Sequence, residues 1–413
     1  MTSAPQECGL AERGHDLEFH TASFPARYAL VDIARGLAAL SVVAFHAVTD
    51  LLPHGADTAW GTVAWPLWVL SRGAFGVTLF FVLSGYCISV TAHSTLQRQH
   101  GLWTFAVRRA RRIYPPFWAS VVLIAIVSAF LAAIGRQDLM RWDSMTDPFA
   151  LRPFEVATNL TLTHTWLPGV LHTGTRTVNG VSWSLCYEEQ FYVVCGLAAG
   201  LAAARRVPGT LFVVLGLLSA IIAIFVVQRS GGELVSGTFL GPKWLQFALG
   251  GLVYYRLAVA TGWRAAAADV VLSGFVMVLT VALIIHPSLQ WQNPVTQLWI
   301  AACLASTLRW LRPFDDSLRQ FLTRLSLWIP LHRLGQMTYS VYLVHAPVVM
   351  IVTGFALTQG PISVAAWLSV VVPLAILASL LSAWVFYQLV ERHCLNRPVP
   401  SQMRPGSRVP DAA

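Results

Sequence analysis

Long apolar stretches separated by short polar segments dominate this chain of 413 residues. A helix of about 20 apolar residues is long enough to cross a bilayer. Ten such stretches occur, near residues 29–49, 72–93, 115–135, 184–204, 208–228, 238–259, 266–286, 292–309, 335–357 and 364–390. The fourth stretch begins with polar residues and is the least regular. The pattern predicts an all-α fold, a polytopic membrane bundle of about ten transmembrane helices.

The arginine content of the connecting segments alternates along the chain. One set of segments is rich in arginine, and the opposite set carries only Arg136, Arg141, Arg152, Arg176 and Arg229. Cytoplasmic segments of membrane proteins carry the excess of positive charge, so both termini are predicted to be cytoplasmic. Residues 1–27 then form a cytoplasmic N-terminal segment without a signal peptide, and 28–395 form one membrane-embedded domain. The Pro-rich residues 396–413 are predicted to be a disordered cytoplasmic tail.

Composition supports a multi-pass protein of the cell (inner, cytoplasmic) membrane, in contact with the lipid bilayer. Hydrophobic residues make up 56% of the chain and charged residues 11%, whereas soluble domains carry about a quarter charged residues. The net charge of +9 does not indicate a nucleic-acid partner, because the arginines lie in short segments between apolar stretches. The six cysteines lack paired spacing, so neither a disulfide framework nor a metal site is expected. Lys243 is the single lysine.

The segment RGLAALSVVAFH places Arg35 and His46 in the first apolar stretch. Eleven positions on a helix correspond to about three turns, which puts both side chains on one face, about 16 Å apart along the axis. Either residue alone has a simple explanation, since an arginine near a helix end reaches the interface and interfacial histidines are common. Ionisable groups on one face inside a membrane usually line an interior cavity and mark function. Asp32, three residues before Arg35, is positioned to hold the guanidinium.

A second polar segment, GVSWSLCYEEQFY, begins the fourth stretch. Glu188 and Glu189 are consecutive, so only one of them can face the bundle. One interpretation places both at the water interface, within an aromatic belt formed by Trp183, Tyr187 and Tyr192. The other places one carboxylate beside His46 at the outer depth of the bundle, where it sets the tautomer and basicity of the imidazole.

Three further segments carry chemistry that is weaker taken alone. FAVRRARRIYPPFW is predicted to be a basic inner loop, which serves either as a topology signal or as a phosphate clamp. Ser84 and Gly85 in the second span are small residues typical of close helix packing. His345 in the ninth span is either a core residue or a cavity-lining one.

Together these segments resemble acyltransferase family 3, integral membrane proteins that acylate hydroxyl groups, mostly on carbohydrates. The resemblance extends over about residues 28–395 and rests on five features in the family's order. They are the Arg35–His46 spacing, the Ser84-Gly85-Tyr86 end of the second span, the basic stretch with Arg109, Arg112, Ile113 and Pro115, the Trp183-Ser184-Leu185-x-x-Glu188-x-x-Phe191-Tyr192 segment, and Tyr339-Ser340-x-Tyr342-Leu343-x-His345-x-Pro347. Each is weak alone, and the five in order are specific.

The resemblance implies an acyl-CoA donor, usually acetyl-CoA, with no bound cofactor, and a carbohydrate or glycosylated acceptor. It singles out Glu188 over Glu189. The expected catalytic pair is His46, as general base, oriented by Glu188. The expected donor-binding residues are Arg35, Arg109, Arg112 and Ser84, and the structural or cavity-lining residues are Asp32, Trp183, Tyr192, Tyr342 and His345.

Two departures from the family pattern stand out. Asp-Ile-Ala-Arg replaces Asp-Gly-Leu-Arg in the first span, and His393 follows Glu391 where members often have proline, so Glu391 is assigned no role. A transporter or flippase of a polysaccharide or lipid-linked intermediate is the alternative function. The lack of inverted hydropathy repeats argues against it.

Overall fold

The computed structural model describes residues 28–49, 64–97, 102–140, 145–167, 176–205, 243–287 and 293–395. Within these ranges all regular secondary structure is helical, which confirms the predicted all-α fold. The fifth predicted span, residues 208–228, lies outside the described residues. The predicted N-terminal segment 1–27 and the tail 396–413 also lie outside them.

Thirteen helices organise the described part of the chain. They are α1 (Ala29–Val48), α2 (Ala64–Ser71), α3 (Phe75–Gln97), α4 (Leu102–Ala133), α5 (Pro153–Leu160), α6 (Trp183–Arg205), α7 (Lys243–Ala258), α8 (Gly262–Ile285), α9 (Pro294–Leu311), α10 (Asp315–Arg324), α11 (Trp328–Gln336), α12 (Thr338–Thr358) and α13 (Val364–Cys394). Helix α13 contains two π-helical turns, Trp367–Val371 and Tyr387–Glu391.

Six of the described segments are long and apolar enough to cross a membrane: Ala29–Val48, Trp65–Ser94, Trp103–Ala133, Gly262–Ile285, Thr338–Thr358 and Val364–Cys394. They correspond to the first, second, third, seventh, ninth and tenth predicted spans, and they make this a multi-pass membrane protein. The fourth, sixth and eighth predicted spans coincide with the helices α6, α7 and α9, which are not among these six, so the predicted count of about ten is not confirmed. Glu188, Glu189 and Gln190 reduce the apolar character of α6, and α7 has only 16 described residues.

The predicted basic inner loop was wrong, because residues 105–118 lie inside α4. Leu, Ala and Arg before Pro115 are good helix formers, and the helix continues through Pro115 and Pro116. A proline lacks the amide proton that would bond to the carbonyl four residues earlier. The carbonyls of Arg111 and Arg112 therefore lose their usual hydrogen-bond partners within the helix. The arginines project from a helix and not from a loop.

Glycines allow the helices around α3 to approach closely. A Cβ atom added to Gly85 would lie 2.0 Å from the carbonyl oxygen of Phe247 in α7, and one added to Gly250 would lie 1.9 Å from that of Val82. Small residues permit this backbone contact in membrane helices. The contact agrees with the prediction that Ser84 and Gly85 mark close packing.

The first helix is anchored at its start by a distant part of the chain. The backbone amides of Ala29 and Leu30 donate to the Asp315 carboxylate at 3.0 and 2.9 Å. These amides have no partner within the helix, and a carboxylate also suits the positive end of the helix dipole. Asp315 is buried, so this contact fixes the depth of α1 relative to α10.

Candidate functional site

Helices α1 and α3 run antiparallel, which sets the depth of each polar side chain. Gly76 at the start of α3 lies against Ala38 and Ser41 of α1, and the Tyr86 ring lies 6.0 Å from the Tyr28 ring at the start of α1. Ser84 is eight residues, or about 12 Å, beyond Gly76. Ser84 is therefore level with Arg35 and not with His46.

Glu188 lies at this same inner level. Its Oε1 atom accepts a hydrogen bond of 2.6 Å from the Tyr192 hydroxyl and one of 3.4 Å from the Ser84 hydroxyl. The Arg35 guanidinium interacts electrostatically with Glu188 and with Asp32, and Asp32 also lies 3.6 Å from Nδ1 of His332. The predicted proximity of Asp32 and Arg35 is thus present, and Glu188 joins them.

The arginines of α4 reach the same cluster. Arg109 donates to the Tyr192 hydroxyl at 3.3 Å and to the Thr91 hydroxyl, and its guanidinium lies 5.0 Å from the centre of the Tyr192 ring. Arg112 interacts electrostatically with both Arg35 and Arg109. The structure therefore brings together the four residues expected to bind the donor: Arg35, Arg109, Arg112 and Ser84.

Glu391 is a member of the cluster to which sequence reasoning assigned no role. It is 1% exposed and accepts hydrogen bonds from the Ser340 backbone amide at 2.9 Å and from the Ser340 hydroxyl. It also interacts electrostatically with Arg112 and Arg35. A π-helical turn, of the kind often found at functional sites, ends at Glu391. The sequence signal was a lone carboxylate in an apolar span.

His46 lies elsewhere, next to His345 of α12. The centres of the two imidazole rings are 5.3 Å apart. Nδ1 of His345 contacts the carbonyl oxygens of Val341 and Tyr342 at 3.0 and 2.9 Å. Carbonyls only accept, so Nδ1 carries the proton and Nε2 keeps its lone pair in the neutral ring. Nε2 of His345 is buried without a hydrogen-bond partner in the described structure.

The expected direct contact between His46 and Glu188 is absent. Among the described residues no hydrogen bond or ion pair joins their side chains, because Glu188 is engaged by Ser84 and Tyr192 at the other end of the Arg35–His46 face. From the sequence, Glu188 was expected at the outer end of the bundle, because α6 was assumed to start at the water interface. Residues 181–187 are instead mostly buried, so the helix begins inside the protein.

A cavity of about 220 Å³ opens beside His46. Besides His46, its polar lining comes from four helices: Thr78 of α3, Trp183 and Ser184 of α6, Lys243 and Gln246 of α7, and Gln297 of α9. Tyr342 closes the side towards the inner cluster, where its hydroxyl meets the Ser184 hydroxyl at 2.7 Å. Of the predicted cavity-lining residues, Trp183 and Tyr342 line this cavity, and Tyr192 and Asp32 belong to the inner cluster.

The polar interior thus has two parts on one face of α1. The inner part holds three guanidinium groups, of Arg35, Arg109 and Arg112, together with three carboxylates, of Asp32, Glu188 and Glu391. The other part is the cavity with His46. An imidazole beside a cavity suits proton transfer, and the planar guanidinium groups of three arginines suit the oxygens of a ligand such as phosphate.

Comparison with known proteins identifies one matching family and several similar proteins. The family described as an acyltransferase domain matches residues 28–388. The putative membrane-bound transacylase BcsY of Komagataeibacter xylinus is 28% identical over 374 residues, covering 89% of this chain and 82% of that protein. Acyltransferase MdmB of Streptomyces mycarofaciens is 26% identical over 401 residues, covering 92% and 94%.

A third relative is longer than this chain. O-acetyltransferase OatA of Staphylococcus aureus (strain NCTC 8325 / PS 47) is 27% identical over 347 residues, which cover 78% of this chain and 52% of that protein. No solved structure gives a significant match. The match over nearly all of the described bundle, together with the helical membrane fold, shows that the chain belongs to acyltransferase family 3 and is a membrane acyltransferase.

Proposed function

We propose that the protein transfers an acyl group, most simply acetyl, from acyl-CoA to a hydroxyl group of a carbohydrate or glycosylated acceptor. The observation that carries this proposal is the two-part polar interior along the Arg35–His46 face. A cluster of three arginines at one end suits a phosphate-bearing donor, and an imidazole beside a cavity at the other end suits a neutral hydroxyl. The name of OatA supports an oxygen-linked acetyl product.

In this proposal the inner cluster holds the donor. Arg109 and Arg112 bind the CoA phosphates as guanidinium forks, and Arg35 guides the thioester arm towards the cavity. Glu188 and Glu391 hold the arginines in place when no acyl-CoA is bound, since a buried cation without a counter-charge is costly. Tyr192 links two of these groups, because its hydroxyl donates to Glu188 and accepts from Arg109. The Ser84 hydroxyl donates to the same oxygen atom of Glu188 as Tyr192 does.

His46 is the proposed general base. It takes the proton from the acceptor hydroxyl as the hydroxyl oxygen attacks the thioester carbonyl carbon. The tetrahedral intermediate collapses with cleavage of the carbon–sulfur bond, and the departing thiolate takes the proton back from His46. The products are the acyl ester and CoA with a free thiol. A positioned base of this kind contributes about 10²- to 10⁴-fold in rate.

The geometry supports a revised partner for His46. His345 is anchored through Nδ1 on two carbonyls and presents an unpartnered Nε2. An N–H of His46 directed at this lone pair leaves the other ring nitrogen of His46 free to act as the base. Glu188 then acts on the donor side through Arg35, Ser84 and Tyr192.

The proposed topology places the inner cluster on the cytoplasmic side, where acyl-CoA is made. It follows from the arginine-rich segments next to the start of α1 and within α4, and it leaves both termini in the cytoplasm. Residues 28–395 then form the membrane-embedded domain in the cell (inner) membrane, and the His46 cavity faces the outer side. Family membership favours this enzyme over the alternative of a transporter or flippase.

A labelling experiment tests the proposal. Membranes containing the protein are incubated with acetyl-CoA labelled in the acetyl group, and label is measured in alkali-labile esters of the carbohydrate fraction. We expect transfer by the native protein and at least a hundredfold loss in His46→Ala at equal protein level. His286→Gln, an exposed histidine at the end of α8, is the matched control. Absence of label from acyl-CoA, or a fully active His46→Ala, overturns the proposal.

A further inference from the structure

We infer that the cavity beside His46 binds an acceptor that carries an anionic group, with Lys243 as its recognition residue. This inference rests on the proposed function, since it describes the second substrate of the same site. Lys243 and Gln246 lie in the wall of this cavity, next to the aromatic side chains of α6. Lys243 supplies a cation, and Gln246 supplies an acceptor oxygen that has no hydrogen-bond partner within the described residues.

Within the described residues, the ammonium group of Lys243 has no carboxylate partner. Its Nζ atom lies 3.8 Å from the centre of the Trp183 ring and 5.1 Å from that of Tyr187. Cation–π contact stabilises an ammonium but leaves its charge uncancelled. No ion pair reaches Lys243 within the described residues, and none of the residues that line the cavity is Asp or Glu. Among the described residues, Lys243 is therefore a positive charge in the cavity wall that no carboxylate cancels.

The helix ends around the cavity add to this positive charge. Helices α6 and α9 both place first-turn residues in the cavity wall, Trp183 and Ser184 of α6 and Gln297 of α9. The N-terminal end of a helix carries a partial positive charge and unpaired amide groups. A neutral sugar gains little from such a field, whereas a carboxylate or phosphate gains a charge-assisted contact with Lys243.

Gln246 gives an independent sign that a ligand belongs here. Its side chain is 2% exposed and lines the cavity, and its Oε1 atom has no hydrogen-bond partner in the described structure. Leaving a buried acceptor unpaired costs about 1–3 kcal/mol, which a ligand hydroxyl removes by donating to it. One turn of α7 thus offers Lys243 to an anion and Gln246 to a hydroxyl, a pairing that matches an acidic or phosphorylated saccharide.

Binding of three small probes tests the inference without any acyl donor. The probes are methyl β-D-glucuronoside, the 6-phosphate of methyl β-D-glucoside, and methyl β-D-glucoside itself, titrated calorimetrically into the purified protein in nanodiscs. We expect at least one anionic probe to bind about ten- to a hundredfold more tightly than the neutral one. The carboxylate and phosphate probes distinguish a uronic-type acceptor from a phosphorylated one.

Variants assign the preference to Lys243. We expect Lys243→Gln to reduce the ratio of anionic to neutral affinity to about one, Lys243→Arg to keep it, and Gln246→Leu to weaken all probes alike. Because Lys243 is the single lysine in the sequence, reductive methylation modifies only this side chain and the N-terminal amine, and the anionic probe should slow methylation of the peptide that contains Lys243. Equal affinities for all three probes in the native protein, or a preference that persists in Lys243→Gln, overturns the inference.

The outcome separates this inference from the proposed function. Anion preference without acyl transfer retains the binding site and refutes the enzyme mechanism. Acyl transfer to a neutral acceptor that is unaffected by Lys243→Gln refutes the anion site and retains the mechanism.

Discussion

The imidazole of His345 lies 5.3 Å from that of His46, ring centre to ring centre, and its Nδ1 atom is fixed by the carbonyls of Val341 and Tyr342. If its free Nε2 positions His46, an acceptor at that place is required. Asn at position 345 carries its polar atoms near the Nδ1 position, whereas Gln extends to the Nε2 position. We expect His345→Asn to lose acyl transfer at least tenfold and His345→Gln to retain more of it.

The readout for this pair of variants is the pH profile of kcat together with the thermal unfolding temperature in detergent. A positioning role shifts the pH profile, whereas a purely structural role lowers only the unfolding temperature. A correctly folded His345→Asn protein with an unchanged rate and pH profile would remove His345 from the mechanism.

The sequence located the polar residues more reliably than their partners. Arg35, Arg109, Arg112, Ser84, Glu188 and Tyr192 were all selected from sequence, and the structure joins them in one cluster. Helical periodicity predicts which residues share a face of one helix, so the Arg35–His46 face followed from spacing. It does not determine the depth of one helix relative to another.

That missing depth explains the error at Glu188. The start of α6 is packed inside the protein, with Ser182 at 0% and Ser184 at 8% exposed, so Glu188 lies deeper than an interfacial start implies. The helical state of residues 105–118 was missed for a related reason. Pro115 and Pro116 suggest a break, but tertiary packing of Phe117 and Ile113 holds the helix together.

Tyr192 should affect the donor and not the acceptor. Its hydroxyl connects Glu188 and Arg109, so Tyr192→Phe removes both hydrogen bonds and leaves the ring in place. We expect the KM for acyl-CoA to rise about tenfold, with the KM for the acceptor unchanged. Tyr255→Phe is the matched control, because Tyr255 is half-buried in α7. A change in the acceptor KM alone would contradict the assignment of Tyr192 to donor binding.

Arg109 and Arg108 offer a test that separates donor binding from topology. Both belong to the same arginine stretch, so either change to Gln removes one positive charge from the topology signal. Only Arg109 donates hydrogen bonds into the cluster, to Tyr192 and Thr91. We expect Arg109→Gln to raise the KM for acyl-CoA about tenfold or more and Arg108→Gln to leave it within twofold. Equal effects in correctly inserted proteins would reduce the stretch to a topology signal.

Gly85 should be essential for packing. A methyl group there would overlap the carbonyl of Phe247 at 2.0 Å, so α3 and α7 must separate. Overpacking of this kind typically costs about 1–3 kcal/mol. We expect Gly85→Ala to lower the unfolding temperature in detergent, while Gly274→Ala in α8, which meets no atom within 4 Å, leaves it unchanged or raises it. Equal unfolding temperatures would show that the α3–α7 contact relaxes freely.

His164 should make the stability of the protein depend on pH. The residue is 1% exposed, its Nε2 atom lies 3.1 Å from the Ser182 hydroxyl, and burial lowers its pKa from the usual 6.5 to about 4. The folded state therefore keeps this imidazole neutral, whereas the unfolded chain binds a proton below about pH 6.5. Its contribution to stability is complete above pH 6.5 and is lost as the pH falls towards 4, by about 1.4 kcal/mol per pH unit at most.

Unfolding temperatures measured between pH 7.5 and 4.5 test this dependence. We expect His164→Gln to flatten the acid side of the curve, and His286→Gln, which changes an exposed histidine, to leave the curve as it is. Glu155 acts in a more acidic range, because its hydrogen bond from Arg152 holds the pKa of that carboxyl below its usual range. The part of the slope between pH 6.5 and 4.5 that His164→Gln removes thus belongs to His164 and not to Glu155, and a slope that is unchanged in His164→Gln would contradict the assignment.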